Sequence, residues 1–172
     1  SYIARNPSGR PPAADRYPSL CGSAPGFGTV YAVRAAGNLR VAEERSEAGA
    51  SEVRMFQETG APALPALFLL GSGKPSELVM FTGSRDGLCS VHSPLKYAHQ
   101  RSETAQPLIR LRCGENGEFF LLLAGTFRPD AQTGNYRLSF IAEKSGKVVT
   151  AQAEAAPRGC TDIGKLKFAG GK

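Results

Sequence analysis

The residues best suited to chemistry lie between positions 86 and 93, where Asp86, Ser90, His92 and Ser93 are close in the sequence. A serine, a histidine and a carboxylate are the set used in nucleophilic hydrolysis, but geometry rather than spacing defines such a site. The chain contains no G-x-S-x-G, H-E-x-x-H or G-x-x-x-x-G-K-[ST] sequence. Histidines in a loop, such as His92 and His99, are more often solvated or structural. We therefore predict no catalytic residue, no enzyme activity and no cofactor.

The four cysteines, Cys21, Cys89, Cys113 and Cys160, are widely spaced and form no C-x-x-C pair. Zinc sites usually need close pairs of ligands, so no metal site is predicted. An even number of separated cysteines favours a disulfide framework, and hence a secreted protein, a secretory organelle or the cell surface. The alternative is a set of free buried thiols in a cytosolic protein.

The disulfide pairing stays open, because four cysteines allow three arrangements. We favour a nested pairing, in which Cys89 with Cys113 ties residues 90–106 to the sheet. Cys21 with Cys160 would then join the N-terminal segment to the C-terminal one.

Net charge is +6 with a pI near 9.4, which favours contact with acidic surfaces. No block of five or six basic residues occurs, so nucleic acid is not a predicted partner. No apolar run approaches the ~20 residues of a membrane span, so direct membrane insertion is not predicted either.

Basic residues that alternate with apolar ones on predicted strands form a candidate binding face for an acidic glycan or acidic protein patch: Arg110, Arg112, Arg137, Lys147, Lys165 and Lys167.

Apolar contacts are the other route to a partner. The chain has no Trp, and the candidate apolar or aromatic contacts are Tyr31, Tyr97, Tyr136, Phe119 and Phe120. The run 119–123 is continuously apolar, which predicts a strand covered on both faces by the domain itself. Alternatively, one face awaits a partner.

Short apolar runs separated by turn residues predict about ten strands and no long helix. These runs are 29–33, 39–42, 53–56, 66–70, 77–81, 108–113, 119–123, 136–142, 147–152 and 165–168. Four hairpins are predicted between successive runs: 29–33 with 39–42, 66–70 with 77–81, 108–113 with 119–123, and 136–142 with 147–152. Asn116-Gly117 makes the third the strongest, since Asn-Gly suits primed turns. Residues 90–106 are predicted to be a long loop.

Regular strand spacing predicts an all-β fold, an antiparallel two-sheet β-sandwich of jelly-roll or galectin-like type. The prolines of the first residues predict an extended arm over 1–27. A single sandwich domain would span 28–168, followed by a flexible tail over 169–172.

The chain resembles the galectin-like β-sandwich domains of apicomplexan micronemal adhesin-associated proteins. The resemblance rests on the Pro-rich N-terminus, the sparse cysteines and the hairpins at 108–123 and 136–152, and it covers residues 28–168. It implies a soluble partner of a membrane-anchored adhesin, acting in cell adhesion and host-cell invasion from the microneme. The galectin sugar sequences H-x-N-P-R and W-x-x-E-x-R do not occur here.

We therefore expect a non-catalytic protein-binding module of a secreted or cell-surface adhesion complex. One alternative is a module that binds acidic carbohydrate. Another is an inhibitor of a secreted hydrolase, whose exposed loops at 83–87 or 90–106 would enter an active site.

Overall fold

The chain is described by a computed structural model over residues 17–34, 36–71 and 75–170. These residues form strands and no helix, which confirms the all-β prediction. The fifteen strands are β1 (Ser19–Ser23), β2 (Thr29–Val33), β3 (Leu39–Val41), β4 (Arg45–Ser46), β5 (Glu52–Gln57), β6 (Ala66–Leu70), β7 (Glu77–Arg85), β8 (Leu88–Val91), β9 (His99–Gln100), β10 (Thr104–Arg112), β11 (Glu118–Leu122), β12 (Tyr136–Lys144), β13 (Lys147–Ala155), β14 (Cys160–Lys165) and β15 (Ala169–Gly170). Within this described part there is no helix with the length and apolar character of a membrane span.

The chain divides into two compact units. Unit 1 combines the residues up to Ala32 with those from Arg110 onward, and unit 2 is Val33–Ile109. Residues 1–16 of the predicted arm and residues 171–172 of the predicted tail lie outside the described residues. The rest of the predicted arm contains β1, where Leu20 is fully buried.

Unit 2 is a closed barrel of six antiparallel strands. The strands follow one another in the order β10, β3, β5, β8, β7 and β6, and β6 pairs again with β10. Strands β6, β7 and β8 are joined as successive hairpins, and β10 returns beside β6, which is a Greek-key connection. Unit 2 is therefore a barrel rather than the predicted two-sheet sandwich, because closure of the ring leaves no open sheet edges.

The interior of this barrel is filled by alternate side chains of its strands. In β5, Val53 and Met55 point inward, whereas Glu52, Arg54 and Phe56 are exposed. This alternation follows from the two-residue period of a strand. The core cluster is Leu39, Val41, Val53, Met55, Phe68, Leu70, Val79, Phe81, Cys89, Leu95 and Ala105.

Unit 1 contains two sheets. In the first, β1 lies between β11, to which it is antiparallel, and β14, to which it is parallel. In the second, β12 pairs with β2 and β13, and β15 pairs with β13. The rings of Phe119 on β11 and Phe140 on β12 lie 5.6 Å apart between centroids, so the two sheets contribute to a common core.

Two of the four predicted hairpins form. Strands β6 and β7 pair in the predicted order, with Leu70 opposite Glu77. Strands β12 and β13 pair from Tyr136 opposite Ala155 to Lys144 opposite Lys147. Their two-residue turn, Ser145-Gly146, has φ angles of 54° and 76°, and positive φ at both positions is what a type I′ turn requires.

The other two predicted hairpins are wrong in pairing, although each contains real strands. Strand β3 pairs with β5 and β10, and not with β2. Strand β11 pairs with β1, and not with β10. The predicted turn does close, because Gly117 N–H donates to the Gly114 carbonyl at 2.9 Å and Gly114 N–H to the Glu118 carbonyl at 2.8 Å. Burial of Phe119 against Phe140, rather than the turn, determines which strand β11 joins.

Three further predictions differ from the structure. The predicted strand at 165–168 is replaced by β14, which ends at Lys165, and by the short β15. The predicted loop at 90–106 contains the end of β8, all of β9 and the start of β10. The predicted polar turn at 83–87 is mostly β7, which continues to Arg85 and leaves only Asp86 and Gly87 as the turn. It is thus a tight hairpin rather than a loop long enough to enter an active site.

Candidate functional site

The two histidines have opposite environments. His92 is exposed, and its backbone N–H donates to the Met80 carbonyl at 2.8 Å. His99 is fully buried in unit 2 and contacts two carboxylates. The sequence does not distinguish His92 from His99, because no local pattern marks a histidine that is buried in the fold.

His99 is held between Glu77 and Glu103. Its Nε2 lies 2.7 Å from Glu77 Oε2, and its Nδ1 lies 3.2 Å from Glu103 Oε1. Glu77 begins β7 and is 4% exposed, and Glu103 lies just before β10. Because both ring nitrogens face carboxylate oxygens, both carboxylates are satisfied only when the ring carries two N–H donors.

The charge on His99 follows from competition between burial and these carboxylates. Burial by itself lowers the pKa of His99, because it penalises the charged imidazolium. Hydrogen bonds to Glu77 and Glu103, together with their negative charges, act in the opposite direction and leave the pKa of His99 raised from 6.5. At pH 6.5 and below, the favoured form of His99 is therefore the imidazolium.

Glu77 also holds the backbone of the segment before His99. Its Oε1 accepts the Lys96 N–H at 2.8 Å, and its Oε2 accepts the Tyr97 N–H at 3.1 Å. Leu95, one residue earlier, is 3% exposed and belongs to the barrel core cluster. Its backbone exchanges hydrogen bonds with residues 49 and 50. We refer to residues 92–98 as the closing segment, because they add Leu95 to the core of unit 2.

The cysteines do not form the predicted disulfides. Cys89, Cys113 and Cys160 are free thiols, so neither the Cys89–Cys113 nor the Cys21–Cys160 bridge is present. Cys89 is 1% exposed within the barrel core, and this burial raises the pKa of its thiol. Burial and the nearby Glu118 charge likewise raise the pKa of the Cys113 thiol.

The register of β1 and β14 explains why Cys160 is not bonded to Cys21. Ser19 lies opposite Cys160, and Cys21 lies opposite Asp162. The two cysteines are therefore diagonal neighbours, about 7–8 Å apart. A disulfide usually spans a Cα separation of at most about 6.8 Å.

The residues of the predicted basic face lie on several strands. All six of its residues are exposed, but they are distributed over β10, β12, β13 and β14 and the residues after β14. Arg137 lies directly opposite Glu154, whose carboxylate offsets its charge. Arg110 and Arg112 remain the pair that shares one strand and one side of it.

Two of the five predicted apolar contacts are unavailable to a partner. Phe119 and Tyr136 are 3% and 6% exposed. Tyr31, Tyr97 and Phe120 are half-buried. The prediction that the 119–123 run is covered on both faces is wrong for Leu122, which is 46% exposed because β11 alternates inward and outward side chains.

The largest exposed aromatic side chain of unit 2 was not among the predicted contacts. Phe56 on β5 is 64% exposed and lies directly opposite Arg40 of β3. The sequence carried a signal for it: if Val53 and Met55 point inward, then Arg54 points outward and Phe56 points outward beside it. An apolar ring on the polar side of an alternating strand is the informative exception.

Phe56 lies two positions along β5 from Arg54, which lines a groove on the outside of the barrel together with Arg85 and the acidic residues Glu52 and Asp86. Across β5, β8 and β7, Arg54 lies opposite Leu88, which lies opposite Arg85. Arg54 Nη1 donates to the Asp86 carbonyl at 2.9 Å, which fixes the guanidinium beside the turn. The groove has a volume of about 530 Å³ and also includes Gly83, Ser84 and Ser90. We call Phe56 together with Arg40, Arg54, Arg85 and Leu88 the β5 surface.

Comparisons with known proteins identify no relative: no family model, no curated protein and no solved structure matches the chain.

Proposed function

We propose that the chain is a non-catalytic protein-binding module, and that its contact surface is the β5 surface. The observation that carries the proposal is the exposure of Phe56, 64% of whose surface faces solvent on an otherwise polar strand face. Aromatic and arginine side chains are enriched in protein interfaces and dominate their binding energy. Both kinds of residue are present on this surface.

The strand pairing indicates how a partner would bind. Strand β5 is hydrogen-bonded to β3 on one side and to β8 on the other. Its backbone is therefore occupied, and a partner cannot add a strand there. Recognition would occur through side chains, with the Phe56 ring entering an apolar recess and the Arg54 and Arg85 guanidinium groups meeting acceptors around it.

The identity of the partner stays a prediction from the family resemblance. That resemblance favours a membrane-anchored adhesin as the partner, and a secretory organelle or the cell surface as the location. The free thiols do not add to this assignment, since the expected disulfides are absent.

Quantitative affinity capture tests the proposal. The chain, Phe56→Ser and Leu122→Ser would be immobilised and exposed to native material, and the retained proteins compared by mass spectrometry. Leu122→Ser is the matched control, because Leu122 is an exposed apolar residue, 46% exposed, that lies in unit 1. We expect a partner that Phe56→Ser loses and Leu122→Ser retains.

Circular dichroism of both variants would verify that they keep the β fold. Equal retention of every captured protein by folded Phe56→Ser and by the unsubstituted chain would contradict the assignment of the β5 surface.

A second candidate function, binding of an acidic glycan, is supported by Arg110 and Arg112, which are both exposed on β10. Arg110→Glu with Arg112→Glu lowers the formal net charge from +6 to +2, since each reversal removes 2. Lys96→Glu with Lys144→Glu, at two exposed lysines outside the predicted basic face, gives the same +2 and serves as the control. A specific site requires the arginine variant to elute from heparin at lower salt than the lysine variant. Equal elution would show that only net charge matters.

A further inference from the structure

The contacts of His99 place a proton at the point where the closing segment meets the barrel. A single side chain, Glu77, accepts three hydrogen bonds, from Lys96 N–H, from Tyr97 N–H and from the His99 ring. Glu103 contacts the other ring nitrogen at 3.2 Å, and its second oxygen accepts the Gln100 N–H. All of these residues belong to unit 2.

The number of protons on the His99 ring decides whether its contacts with Glu77 and Glu103 are favourable. An imidazolium offers one N–H to each carboxylate. A neutral imidazole offers only one N–H, so one carboxylate oxygen faces a ring lone pair inside a site where His99 is 0% exposed. The carboxylate that loses its donor is destabilised, more strongly if it is Glu77, whose side chain is 5% exposed, than if it is Glu103, whose side chain is 25% exposed.

We propose that the closing segment is a pH-gated closure of the unit 2 barrel: the His99 imidazolium, bridging Glu77 and Glu103, holds residues 92–98 shut, and loss of its proton releases them. Release withdraws Leu95 from the core cluster and exposes the apolar residues that it covers. The proposal does not depend on the proposed function of the β5 surface.

Other polar and charged side chains lie on β4, opposite His99, and in the turn after β9. On β4, Ser46 lies opposite His99, is 2% exposed, and donates from Oγ to Glu43 Oε1 at 2.5 Å. Arg45, beside it, is exposed and contacts Glu47 at 2.8 Å. Arg101, in the turn after β9, is exposed, and its N–H donates to the Glu44 carbonyl. Glu77 and Glu103 are thus the charges that contact the ring directly.

The sign of the pH dependence follows from the raised pKa of His99 in the closed state. The open state binds the proton with a pKa near 6.5. Below this value both states are protonated, and the closure has its full stability. Between about 6.5 and the raised value only the closed state holds the proton, so the opening equilibrium increases about tenfold per pH unit. Above the pKa of His99 in the closed state, the opening equilibrium no longer changes with pH.

Titration of the two histidine rings by nuclear magnetic resonance is the first test. The chain has two histidines, so the ring signals are few and belong to exposed His92 and buried His99. We expect both His99 nitrogens to be protonated at pH 6.5 and the His99 midpoint to lie above 6.5. A His99 ring with one bare nitrogen at that pH, or a His99 midpoint at or below 6.5, would overturn the proposal.

Hydrogen exchange is the second test, because it reports on opening itself. The Lys96 and Tyr97 amides donate to Glu77, whereas the Ala42 amide donates to the Arg54 carbonyl at 2.8 Å elsewhere in the same barrel. Within the titration window, exchange of the first two should accelerate about a hundredfold per pH unit. This combines about tenfold from opening with about tenfold from base catalysis, whereas Ala42 should show only the latter. Parallel profiles for all three amides would refute the gate.

Glu103→Gln separates charge from packing, because the amide oxygen still accepts from Nδ1 while the negative charge is lost. We expect the upper end of the steep pH window at Lys96 and Tyr97 to move to lower pH, because loss of the Glu103 charge lowers the pKa of His99 in the closed state. Glu47→Gln removes an exposed carboxylate, 68% accessible, near the same region and should leave the profile unchanged. An identical profile for Glu103→Gln and the unsubstituted chain would show that Glu103 does not hold the proton on His99.

Discussion

Leu95→Ala would measure how much the closing segment contributes to the barrel. Leu95 lies outside every strand, yet it is 3% exposed and packs in the core cluster of unit 2. An irregular surface segment would tolerate this substitution within about 0.5 kcal/mol. A leucine in the core does not tolerate this substitution within that limit.

The magnitude follows from the atoms removed. Loss of three buried carbons, at about 0.8 kcal/mol each, removes about 2.4 kcal/mol of transfer free energy. The cavity left by incomplete relaxation adds to this loss, and buried Leu→Ala changes typically total about 2–5 kcal/mol. We expect a loss of about 3 kcal/mol in the free energy of unfolding of unit 2. With a urea slope of about 2 kcal/mol/M, the midpoint would fall by about 1.5 M.

Urea titration followed by far-ultraviolet circular dichroism is the appropriate assay, because the chain has no Trp for fluorescence. Met80→Ala is the control in the same barrel. Met80 is 37% exposed, and its loss should cost about 1 kcal/mol. If Leu95→Ala cost no more than Met80→Ala, the closing segment would not be part of the barrel core.

Three further predictions test other parts of the description. Gly146→Ala should cost about 1 kcal/mol in thermal unfolding, because its φ of 76° suits only glycine without strain. Gly28→Ala should be nearly neutral, because a Cβ there meets nothing within 4 Å. Equal costs for the two substitutions would contradict the type I′ turn. At pH 8, a thiol reagent should modify half-buried Cys160 well before Cys89, because the Cys89 thiol is buried and its pKa is raised. A native protein in which no thiol reacts would instead support the predicted disulfides. The urea midpoint should fall between about pH 6.5 and the raised pKa of His99, and a midpoint that rises over this range would be inconsistent with a closed-state imidazolium.

The strands were largely predictable from the sequence, but their partners were not. The β12–β13 hairpin could be predicted because its turn, Ser145-Gly146, and its alternating strands are adjacent in the chain. The β10–β11 pair looked stronger, yet β11 joins β1, whose residues lie about a hundred positions earlier. A turn constrains only the residues within it, whereas burial of Phe119 depends on distant side chains.

The candidate sites divide in the same way. The outward position of Phe56 is implied by the alternation of Val53 and Met55, so this exposed ring was readable in the sequence, although it was missed, whereas its neighbours on β3, β7 and β8 were not. The His99 arrangement was not readable, because Glu77 and His99 are 22 positions apart and no spacing rule connects them.

The sequence by itself determined the all-β class, most strand positions and the two local hairpins, since these depend on residue preferences, the two-residue strand period and turn geometry. Only the tertiary structure decided the closure of β6 onto β10, the free state of the Cys89, Cys113 and Cys160 thiols and the burial of His99 between two carboxylates. Each of these depends on the distance between residues far apart in the chain, which is fixed only when the apolar side chains of the whole unit pack together.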